Sequence, residues 1–394
     1  MKSEWKTIRA ADFMEFNPRM NLKKGTIATK ISMDKLQPYT KKIPETEQAE
    51  FSGGTKFSNS DTIMARITPC LENGKTAFVD CLNKDEVAFG STEFIVLRAK
   101  PGVSDAQFVY YLATSPEFRQ VAIKSMVGSS GRQRVQQPVL ENLELVVPEL
   151  PKQKRIGGFL AAIDDKIALN AKINDNLEQQ AVTYFQELYI NNANPMWQIG
   201  TISDLGTVVG GSTPSKTKPE YYTNNGIAWI TPKDLSINKS KFISHGENDI
   251  TELGLKNSSA TVMPKGTVLF SSRAPIGYIA IASNEVTTNQ GFKSVVPYLE
   301  IGTAFVYFFL KHSLPVIESA ASGSTFKEIS GSAMKNIPAI IPDRSTLDQF
   351  NSFCAPIFAQ QKILEDQNYS LAMLRDSLLP KLMSGAIDIA SIQL

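Results

Sequence analysis

Residues 148–191 have the pattern of one long helix, and this stretch constrains the fold more than any other. After Gly158 it contains neither glycine nor proline, and its apolar residues recur in alternating steps of four and three. That spacing is typical of a helix packed lengthwise against another helix. The apolar seam positions are Ile156, Leu160, Ile163, Ile167, Leu177, Ala181, Tyr184 and Leu188. At 1.5 Å per residue the helix would extend ~60 Å, far beyond an average helix, so we interpret it as a spacer rod.

Polar residues interrupt this seam. Asn170 and Asn174 occupy seam positions. A buried Asn needs a hydrogen-bond partner and thereby fixes the register of a helix pair, although it lowers stability. We therefore interpret both Asn residues as determinants of register.

A second seam with the same spacing lies near the end of the chain and predicts the partner helix. Its apolar positions are Leu347, Phe350, Cys354, Ile357, Leu364, Leu371, Leu378 and Leu382, and Gln361, Asn368 and Arg375 fill the remaining ones. Pro356 lies inside this pattern. Because proline lacks the backbone donor and clashes with the preceding turn, it predicts a break near Ala355. We expect a short helix over 345–354 and a longer one from Pro356 to Leu379.

The two seams belong to an internal repeat. A shift of 194 residues places Pro148 on Pro342, Ile156 on Phe350 and Asn174 on Asn368. A repeat of this size indicates two similar domains rather than a solenoid, whose units are much shorter. We predict recognition-type globules at 1–147 and 193–342 and helical spacers at 148–192 and 343–394, related by a pseudo-two-fold repeat.

Each globule combines short strands with helical stretches, which predicts the α+β class. In the first globule we expect strands at 62–65, 76–79, 94–97 and 143–147. A helical stretch at 105–127 is interrupted by Ser115-Pro116, which can cap and restart a helix. In the second we expect strands at 268–270, 279–281 and 295–296 and a helix at 304–314.

Composition excludes several classes of protein. No apolar run approaches the ~20 residues that cross a bilayer, and the N-terminus lacks the apolar core of a signal peptide. The three cysteines, Cys70, Cys81 and Cys354, have no metal-ligand spacing, so we expect a reduced cytoplasmic protein. Since the net charge is only +2, a nucleic-acid ligand would require basic residues concentrated on one surface.

Catalytic signatures are missing from the sequence. Gly74-Lys75-Thr76 resembles the end of a phosphate-binding loop, but the glycine required five positions earlier is Pro69. His245 and His312 are far apart, and no Asn-Pro-Pro-aromatic motif of adenine methyltransferases occurs. We expect any chemistry to come from a partner.

Several motifs occur in the order found in one known family. The second globule carries Gly-Gly-Ser-Thr-Pro-Ser at 210–215 and Gly-Ile-Ala-Trp-Ile-Thr-Pro-Lys-Asp-Leu at 226–235. The first carries Ala-Arg-Ile-Thr-Pro-Cys at 65–70, with Ser-Arg-Ala-Pro-Ile-Gly at 272–277 as its counterpart. With the ending Leu-Leu-Pro-Lys-Leu at 378–382, essentially the whole chain resembles the DNA-specificity subunit of type I restriction–modification systems.

This resemblance implies a non-enzymatic subunit with two target-recognition domains, each reading half of a split DNA site. It implies that the helices pair as an antiparallel coiled coil and dock two methyltransferase subunits, which motor-nuclease restriction subunits can join. The subunit itself would bind no cofactor; its partners would use S-adenosylmethionine, ATP and Mg, and no membrane is involved. Two similar readers on a rigid spacer would also, on geometric grounds alone, read two half-sites with an unread gap.

The candidate DNA-binding residues are basic, hydroxyl and amide side chains in both globules. We take Arg66 and Arg273 as corresponding residues that contact phosphate or hold their own loops, since a motif shared by two domains suits base reading poorly. The loops 129–134 and 324–327 suit phosphate contacts, with a solvated surface turn as the alternative. The full set is Arg66, Lys75, Ser129, Ser130, Arg132, Gln133, Arg134, Thr213, Ser215, Lys216, Lys233, Arg273, Asn289, Gln290, Lys293, Ser324 and Lys327.

Two functions of other classes stay open. One is a structural coiled-coil scaffold without DNA readout, against which the repeated basic loops argue. The other is an enzyme whose site matches no motif considered above.

Overall fold

The computed structural model describes residues 5–129, 131–323 and 327–392 of the chain. Two candidate residues, Ser130 and Ser324, lie outside the described residues. The chain divides into two compact units. The first unit contains Met1–Leu169 and Gln367–Leu394, and the second unit contains Asn170–Asp366.

The first half of the chain forms short strands and helices that lead into a long helix. In chain order they are β1 (Trp5–Arg9), α1 (Ala10–Phe13), β2 (Met14–Phe16), β3 (Ile27–Ile31), β4 (Glu47–Glu50), β5 (Thr55–Phe57), β6 (Thr62–Ala65), β7 (Thr76–Phe78), β8 (Ala88–Gly90), β9 (Phe94–Ala99), α2 (Ala106–Thr114), α3 (Pro116–Lys124), α4 (Gln137–Glu141), β10 (Glu144–Pro148) and α5 (Leu150–Phe185). A π-helical segment, Gln186–Asn191, continues α5, so the helix predicted over 148–191 is confirmed.

The strands of the first unit form two four-stranded sheets and one strand pair. The sheets have the orders β2-β9-β6-β7 and β4-β3-β8-β5, and β1 pairs with β10. All four residues of β6 are buried, as expected for a central strand between β9 and β7. Ser115 ends α2, and its hydroxyl caps α3 by accepting from the Phe118 amide, which confirms the predicted restart.

The second half of the chain repeats this arrangement. Its elements are β11 (Gln198–Thr201), α6 (Ile202–Leu205), β12 (Gly206–Gly210), β13 (Tyr222–Thr223), β14 (Ile227–Ile230), α7 (Pro232–Ile237), β15 (Phe242–Ile243), β16 (Asn248–Ile250), α8 (Glu252–Lys256), β17 (Val268–Ser272), β18 (Ile276–Ala282), β19 (Thr287–Thr288), β20 (Lys293–Pro297), α9 (Thr303–His312), α10 (Leu314–Ser319), α11 (Gly331–Lys335), β21 (Pro338–Ile341) and α12 (Arg344–Met383). Short 3-10 turns occur at Met33–Lys35, Pro219–Tyr221 and Ile389–Ser391.

The sheets of the second unit match those of the first in plan. They have the orders β12-β20-β17-β18-β15 and β13-β16-β14-β19, and β11 pairs with β21 as β1 does with β10. The parallel pair β14–β19 corresponds to the parallel pair β3–β8. The predicted α+β class and internal repeat are therefore confirmed.

Each long helix contributes one part to each unit. In the first unit, Ile156 and Leu160 of α5 share a buried core with Leu379 and Leu382 of α12. Toward the other end of this pairing, the Asn368 side-chain amide donates to the Ile167 carbonyl at 3.2 Å. As residue numbers rise along α5, the numbers of the facing residues in α12 fall, so the two segments run antiparallel.

The second unit pairs the other two helix segments in the same way. The Tyr184 ring of α5 stacks on Phe350 of α12, with centroids 6.0 Å apart. The Gln361 side-chain amide donates to the Asn174 carbonyl at 3.1 Å. Gln361 and Asn368 thus hydrogen-bond to the backbone of the facing helix, as polar seam residues that fix register do. Asn174, which was predicted to fix the register, contributes its backbone carbonyl to this contact, and that role of its side chain stays a prediction.

The predicted break at Pro356 is wrong. The helix α12 is continuous from Arg344 to Met383 and also includes Pro380. Pro356 and Ser352, whose carbonyl loses its helical partner, are both exposed. Water can therefore satisfy that carbonyl, while the buried neighbours Cys354 and Ile357 hold the helix in place.

A buried ion pair joins the two helices of the first unit. An Arg375 guanidinium nitrogen lies 2.6 Å from an Asp164 oxygen, and the Tyr111 hydroxyl of α2 donates to the same carboxylate. Burial alone would lower the pKa of Arg375, but Asp376 and Asp164 outweigh it and raise that pKa. The globule and both helices of this unit therefore meet at one carboxylate.

The second unit has its own ionic group between the globule and the long helices. The buried Lys241 ammonium donates to the Glu178 carboxylate of α5 and to the Gln361 side-chain oxygen of α12, the latter at 2.6 Å. Lys311 of α9 also donates to Glu178 at 2.6 Å. Burial alone would raise the pKa of Glu178, but the two ammonium groups hold it below its ordinary value.

No helix in the described part of the chain is both long enough and apolar enough to cross a bilayer.

The Asp164–Arg375 pair yields a stability prediction. Arg375→Met keeps most of the packing volume but leaves Asp164 buried without its cation, which should cost about 3–5 kcal/mol. We expect the opening free energy of first-unit peptides in native-state hydrogen exchange to fall by that amount. Adding Asp164→Leu should recover part of the loss, because it removes the unpaired charge.

Arg344→Ala is the matched control on the same helix. Its exposed pair with Asp348, at 2.9 Å, should be removable without a measurable change. If Arg375→Met were as stable as the unmodified chain, the ion pair would not hold the first unit together.

Candidate nucleic-acid interface

Both units contain a turn with a cis proline directly after a central strand. The Thr68–Pro69 peptide follows β6, and the Ala274–Pro275 peptide follows β17. The Val135 amide donates to the Arg66 carbonyl at 2.8 Å, and the Ile329 amide donates to the Ser272 carbonyl at 3.1 Å. When the two turns are compared by these bonds and by their prolines, Arg66 is equivalent to Ser272, and Ile67 is equivalent to Arg273.

The expected correspondence of Arg66 with Arg273 is therefore wrong by one residue. Two residues separate Arg66 from its cis proline, whereas one residue separates Arg273 from its own. The backbone contacts of the two turns therefore correspond, but the positions of the two arginines do not. The two arginines consequently leave the strand at adjacent, non-equivalent positions.

The candidate basic loops return to these turns in both units. Arg134 bridges to Ile67 and to Val127. Glu328 bridges to Arg273 and to Ser322 in the same antiparallel manner. Arg134 and Glu328 are therefore equivalent, although their charges are opposite.

An ion pair holds each turn, with reversed polarity in the two units. In the first unit, Arg134 contacts the Glu93 carboxylate through Nε at 3.0 Å and Nη2 at 2.7 Å, which raises the pKa of Arg134. In the second, Glu328 lies 3.3 Å from Arg273 and 3.8 Å from Lys293. The second arrangement supports the loop-holding interpretation of Arg273, whereas Arg134, which was predicted to contact phosphate, is already paired with Glu93.

Three further candidates are engaged in the fold of the first unit. Arg66 donates to the Val135 carbonyl at 3.4 Å, and Lys75 donates to the Met33 carbonyl at 2.9 Å. The Gln133 carbonyl accepts from the Thr68 amide at 3.0 Å. These contacts use side-chain donors of Arg66 and Lys75, whereas Gln133 is engaged through its backbone carbonyl.

Other loop candidates are exposed and available. Ser129 and Arg132 close a turn in which the Arg132 amide donates to the Ser129 carbonyl at 3.0 Å. Among the described residues, nothing hydrogen-bonds or pairs with the Arg132 guanidinium. Lys327 is likewise exposed beside Glu328. These side chains suit contact with phosphates, which flexible basic groups recognise without base information.

The segment at 210–215 lies against the chain that follows β19. The Ser212 amide donates to the Thr288 carbonyl at 2.8 Å, and the Thr213 hydroxyl donates to the Gln290 side-chain oxygen. A Cβ on Gly211 would lie 2.0 Å from the Asn289 carbonyl oxygen, so only glycine allows this approach.

Aromatic groups support the segment from its other side. The Trp229 indole donates to the Ser212 carbonyl at 3.0 Å, and the Tyr222 hydroxyl donates to the Pro214 carbonyl at 2.6 Å. The candidates Thr213, Asn289 and Gln290 are thereby brought together.

The remaining candidates of the second unit differ in how far they are engaged. Lys216 is exposed, and the Ser215 hydroxyl shares a hydrogen bond with Thr217 at 2.9 Å. Lys293 faces Gly210 across the β12–β20 ladder, so it borders the same segment. Lys233 at the start of α7 is exposed and pairs with Glu247 at 2.6 Å.

A polar groove in the first unit was missed by the sequence interpretation. Residues 17–21 and 54–56 line it, and it is followed by Lys23 and Lys24. The available signal was the run Asn-Pro-Arg-Met-Asn-Leu-Lys-Lys-Gly at 17–25, which combines amide and basic side chains between turn residues. The second wall, 33 or more positions away, could not be inferred from that run.

A metal centre finds no support in the described part of the chain, where no three His, Cys, Asp or Glu side chains form a group that could hold an ion.

The chain matches a protein family described as "Type I restriction modification DNA specificity domain" over residues 2–179 and 194–366. It is 43% identical over 162 residues to the type I restriction enzyme MjaIX specificity subunit of Methanocaldococcus jannaschii, a match that covers 41% of this chain and 37% of that protein. It is 23% identical over 407 residues to the HindI specificity subunit of Haemophilus influenzae, covering 84% of this chain and 87% of that one. The fold resembles the crystal structure of a type I S subunit from M. genitalium with a TM-score of 0.57, at 16% identity and 96% coverage of both chains.

Proposed function

Because this chain belongs to the type I restriction modification DNA specificity family, we propose that it is the non-catalytic subunit that selects the DNA sequence for a type I complex. Each unit would read one half of a bipartite site. The proposal places the chain in the cytoplasm with its DNA and partner subunits.

One observation carries the proposal of two readers. The same cis-proline turn, bridged by the same returning loop, occurs once in each unit. The side chains around the two turns nevertheless differ in charge and type. A repeated frame with different surface groups fits two domains that read different bases in the same way.

The proposal assigns the long helices to partner docking and to spacing. Both helices expose large apolar side chains, and exposed apolar groups of this kind mark interaction surfaces when they cluster. In the first unit they include Leu169, Tyr369 and Met373, which are 53%, 70% and 56% exposed. We propose that two methyltransferase subunits dock there and that restriction subunits join them. S-adenosylmethionine, ATP and Mg would be used by those partners.

The boundaries of the domains follow from the same proposal. Recognition domains at 1–147 and 193–342 would be separated by helical spacers at 148–192 and 343–394. Candidate contacts that the fold leaves available, such as Arg132 and Lys216, would approach the DNA backbone first.

The first prediction tests the function itself. Cells that express this chain with the methyltransferase subunit of its own system should methylate adenines in one bipartite motif with an unread gap. Sequencing of modified adenines in genomic DNA measures this. Without the chain, or with the chain alone, methylation should be absent. An uninterrupted motif would contradict two separate readers, and methylation independent of the chain would favour the scaffold alternative.

A second prediction concerns the loop at 129–134. Arg132→Ala should weaken DNA binding of the assembled complex and reduce the slope of log affinity against log salt by about 0.9, with an unchanged methylated motif. Arg134→Ala should change that slope less, because Glu93 already neutralises Arg134. Salt-dependent binding assays measure both. An altered motif with an unchanged slope would instead identify Arg132 as a base reader.

A third prediction concerns the helices as spacers. Seven residues inserted after Leu169 and seven after Asp366 would leave the pairs within each unit intact while adding about 10 Å of helix. The unread gap should grow by about three base pairs, with the same bases in each half-site. Twisting or bending of the DNA should cost some affinity.

The readout is the methylated motif in cells that carry the double insertion. Insertion in α5 alone is the control, and it should abolish activity because the facing segments lose register. Normal activity with an unchanged gap would rule out spacing by the helices.

A further inference from the structure

We propose that the groove lined by residues 17–21 and 54–56 of the first unit reads base edges in that unit's half-site, with Arg19 and Asn21 as the reading side chains. This rests on the proposed function and adds a specificity-determining site to it. The groove has a volume of about 630 Å³, within the range of ligand-binding clefts.

The backbone of this groove is held firmly by the rest of the unit. The Asn17 side-chain oxygen accepts from the Val96 amide at 2.9 Å, and its side-chain nitrogen donates to Gln137 at 2.7 Å. The Lys56 ammonium donates to the Met20 carbonyl at 2.9 Å, which ties one wall to the other. Direct readout needs side chains presented from such fixed positions.

Arg19 and Asn21 are both exposed at the groove, between the anchored residues Asn17 and Lys56. Within the described ranges, no hydrogen bond or ion pair engages either side chain. Arg134 and Arg273, in contrast, are already paired with carboxylates. A free guanidinium can bind guanine bidentately, and a free amide can do the same with adenine.

The groove is connected to the segment that holds the cis-proline turn of the first unit. A Cβ on Gly54 would stand 2.1 Å from the Gly90 carbonyl oxygen, so the wall at 54–56 packs directly on the end of β8. Three residues later, Glu93 pairs with Arg134 of the candidate loop. Gln137, which holds Asn17, follows that same loop. The groove and the loop are therefore linked through the chain at 90–93 and through Gln137.

The second unit provides an independent parallel. Gly90 pairs with Ile31 as Thr288 pairs with Ile230, so these two positions are equivalent in the repeated parallel ladders. Beside Thr288 lies the segment at 210–215, through the bond from the Ser212 amide. The wall at 54–56 thus occupies, beside this ladder end of the first unit, the place that the motif segment holds in the second.

The charge around the groove favours an anionic partner. Lys23 and Lys24 are exposed just beyond Asn21. Asp61 is neutralised by Arg98 at 2.6 Å, and Glu50 approaches the chain near Gly25. The lysines would contact phosphates beside the bases that Arg19 and Asn21 read.

The test separates base reading from phosphate contact by a substitution that keeps charge. Arg19→Lys retains the cation but loses the planar fork that binds guanine at two points. In the assembled complex, Arg19→Lys and Asn21→Ala should each make one position of the first half-site degenerate. Discrimination there, measured by competition binding with substituted DNA duplexes, should fall roughly 5- to 100-fold.

Lys23→Ala is the matched control, and it should weaken binding to all sequences equally. The second half-site serves as an internal control for folding and should keep its bases in every variant. Arg19→Lys and Asn21→Ala variants that leave the motif unchanged, or that alter only the salt slope, would overturn base reading by this groove. Degeneracy confined to the second half-site would overturn it as well. Failure of the unmodified complex to methylate a bipartite motif would instead be a failure of the proposed function.

Discussion

Each unit depends on a helical segment that the other half of the sequence supplies. Leu379 and Leu382 of α12 complete the first core around Phe108 of α2, and Ala181 and Phe185 of α5 complete the second around Phe305. Burial of each large apolar side chain contributes roughly 1.5–3 kcal/mol. Removing either segment would expose several such residues at once. Neither half of the chain can therefore complete its core alone, which ties both recognition globules to one pair of helices.

The charged groups between globule and helices determine the register of that arrangement. Apolar seams repeat every seven residues, so their contacts would be nearly satisfied if one helix slid by a heptad. The Asp164–Arg375 pair forms in one register only, and so does the group in which Lys241 binds both Glu178 of α5 and Gln361 of α12, because a slide would leave a buried charge unpaired. Tyr111 and Lys311 extend these pairs into the globules. Burying these charged groups costs desolvation free energy, but it allows only one alignment of the two helices.

Periodic and local features of this fold could be predicted from the sequence, and features that depend on exposure or on distant segments could not. The heptad seams and the cap at Ser115 rest on spacing alone. The break predicted at Pro356 was wrong because the effect of a proline depends on which face of α12 it occupies. The pairing of Arg134 with Glu93 joins residues 41 positions apart, and the groove at Arg19 has its second wall at 54–56. The predicted equivalence of Arg66 and Arg273 failed because the two arginines stand one position apart in turns of equal length, and the backbone contacts of each turn decide which residues correspond.

The reversed ion pairs at the two turns explain how one frame can carry different recognition surfaces. Arg134 with Glu93, and Glu328 with Arg273, each satisfy their charges inside one unit. The bridging position can therefore change sign without altering the backbone that it holds. The number of basic residues near a turn is therefore a poor guide to DNA contact, because some of these residues are already paired with carboxylates that hold the turn. In our proposal, the side chains free to diverge with the target sequence are those with no internal partner among the described residues, at positions such as Arg19, Arg132 and Lys216. A net charge of only +2 is compatible with DNA binding for the same reason. What matters for binding is the distribution of unpaired cations over the surface, and the internal ion pairs determine that distribution.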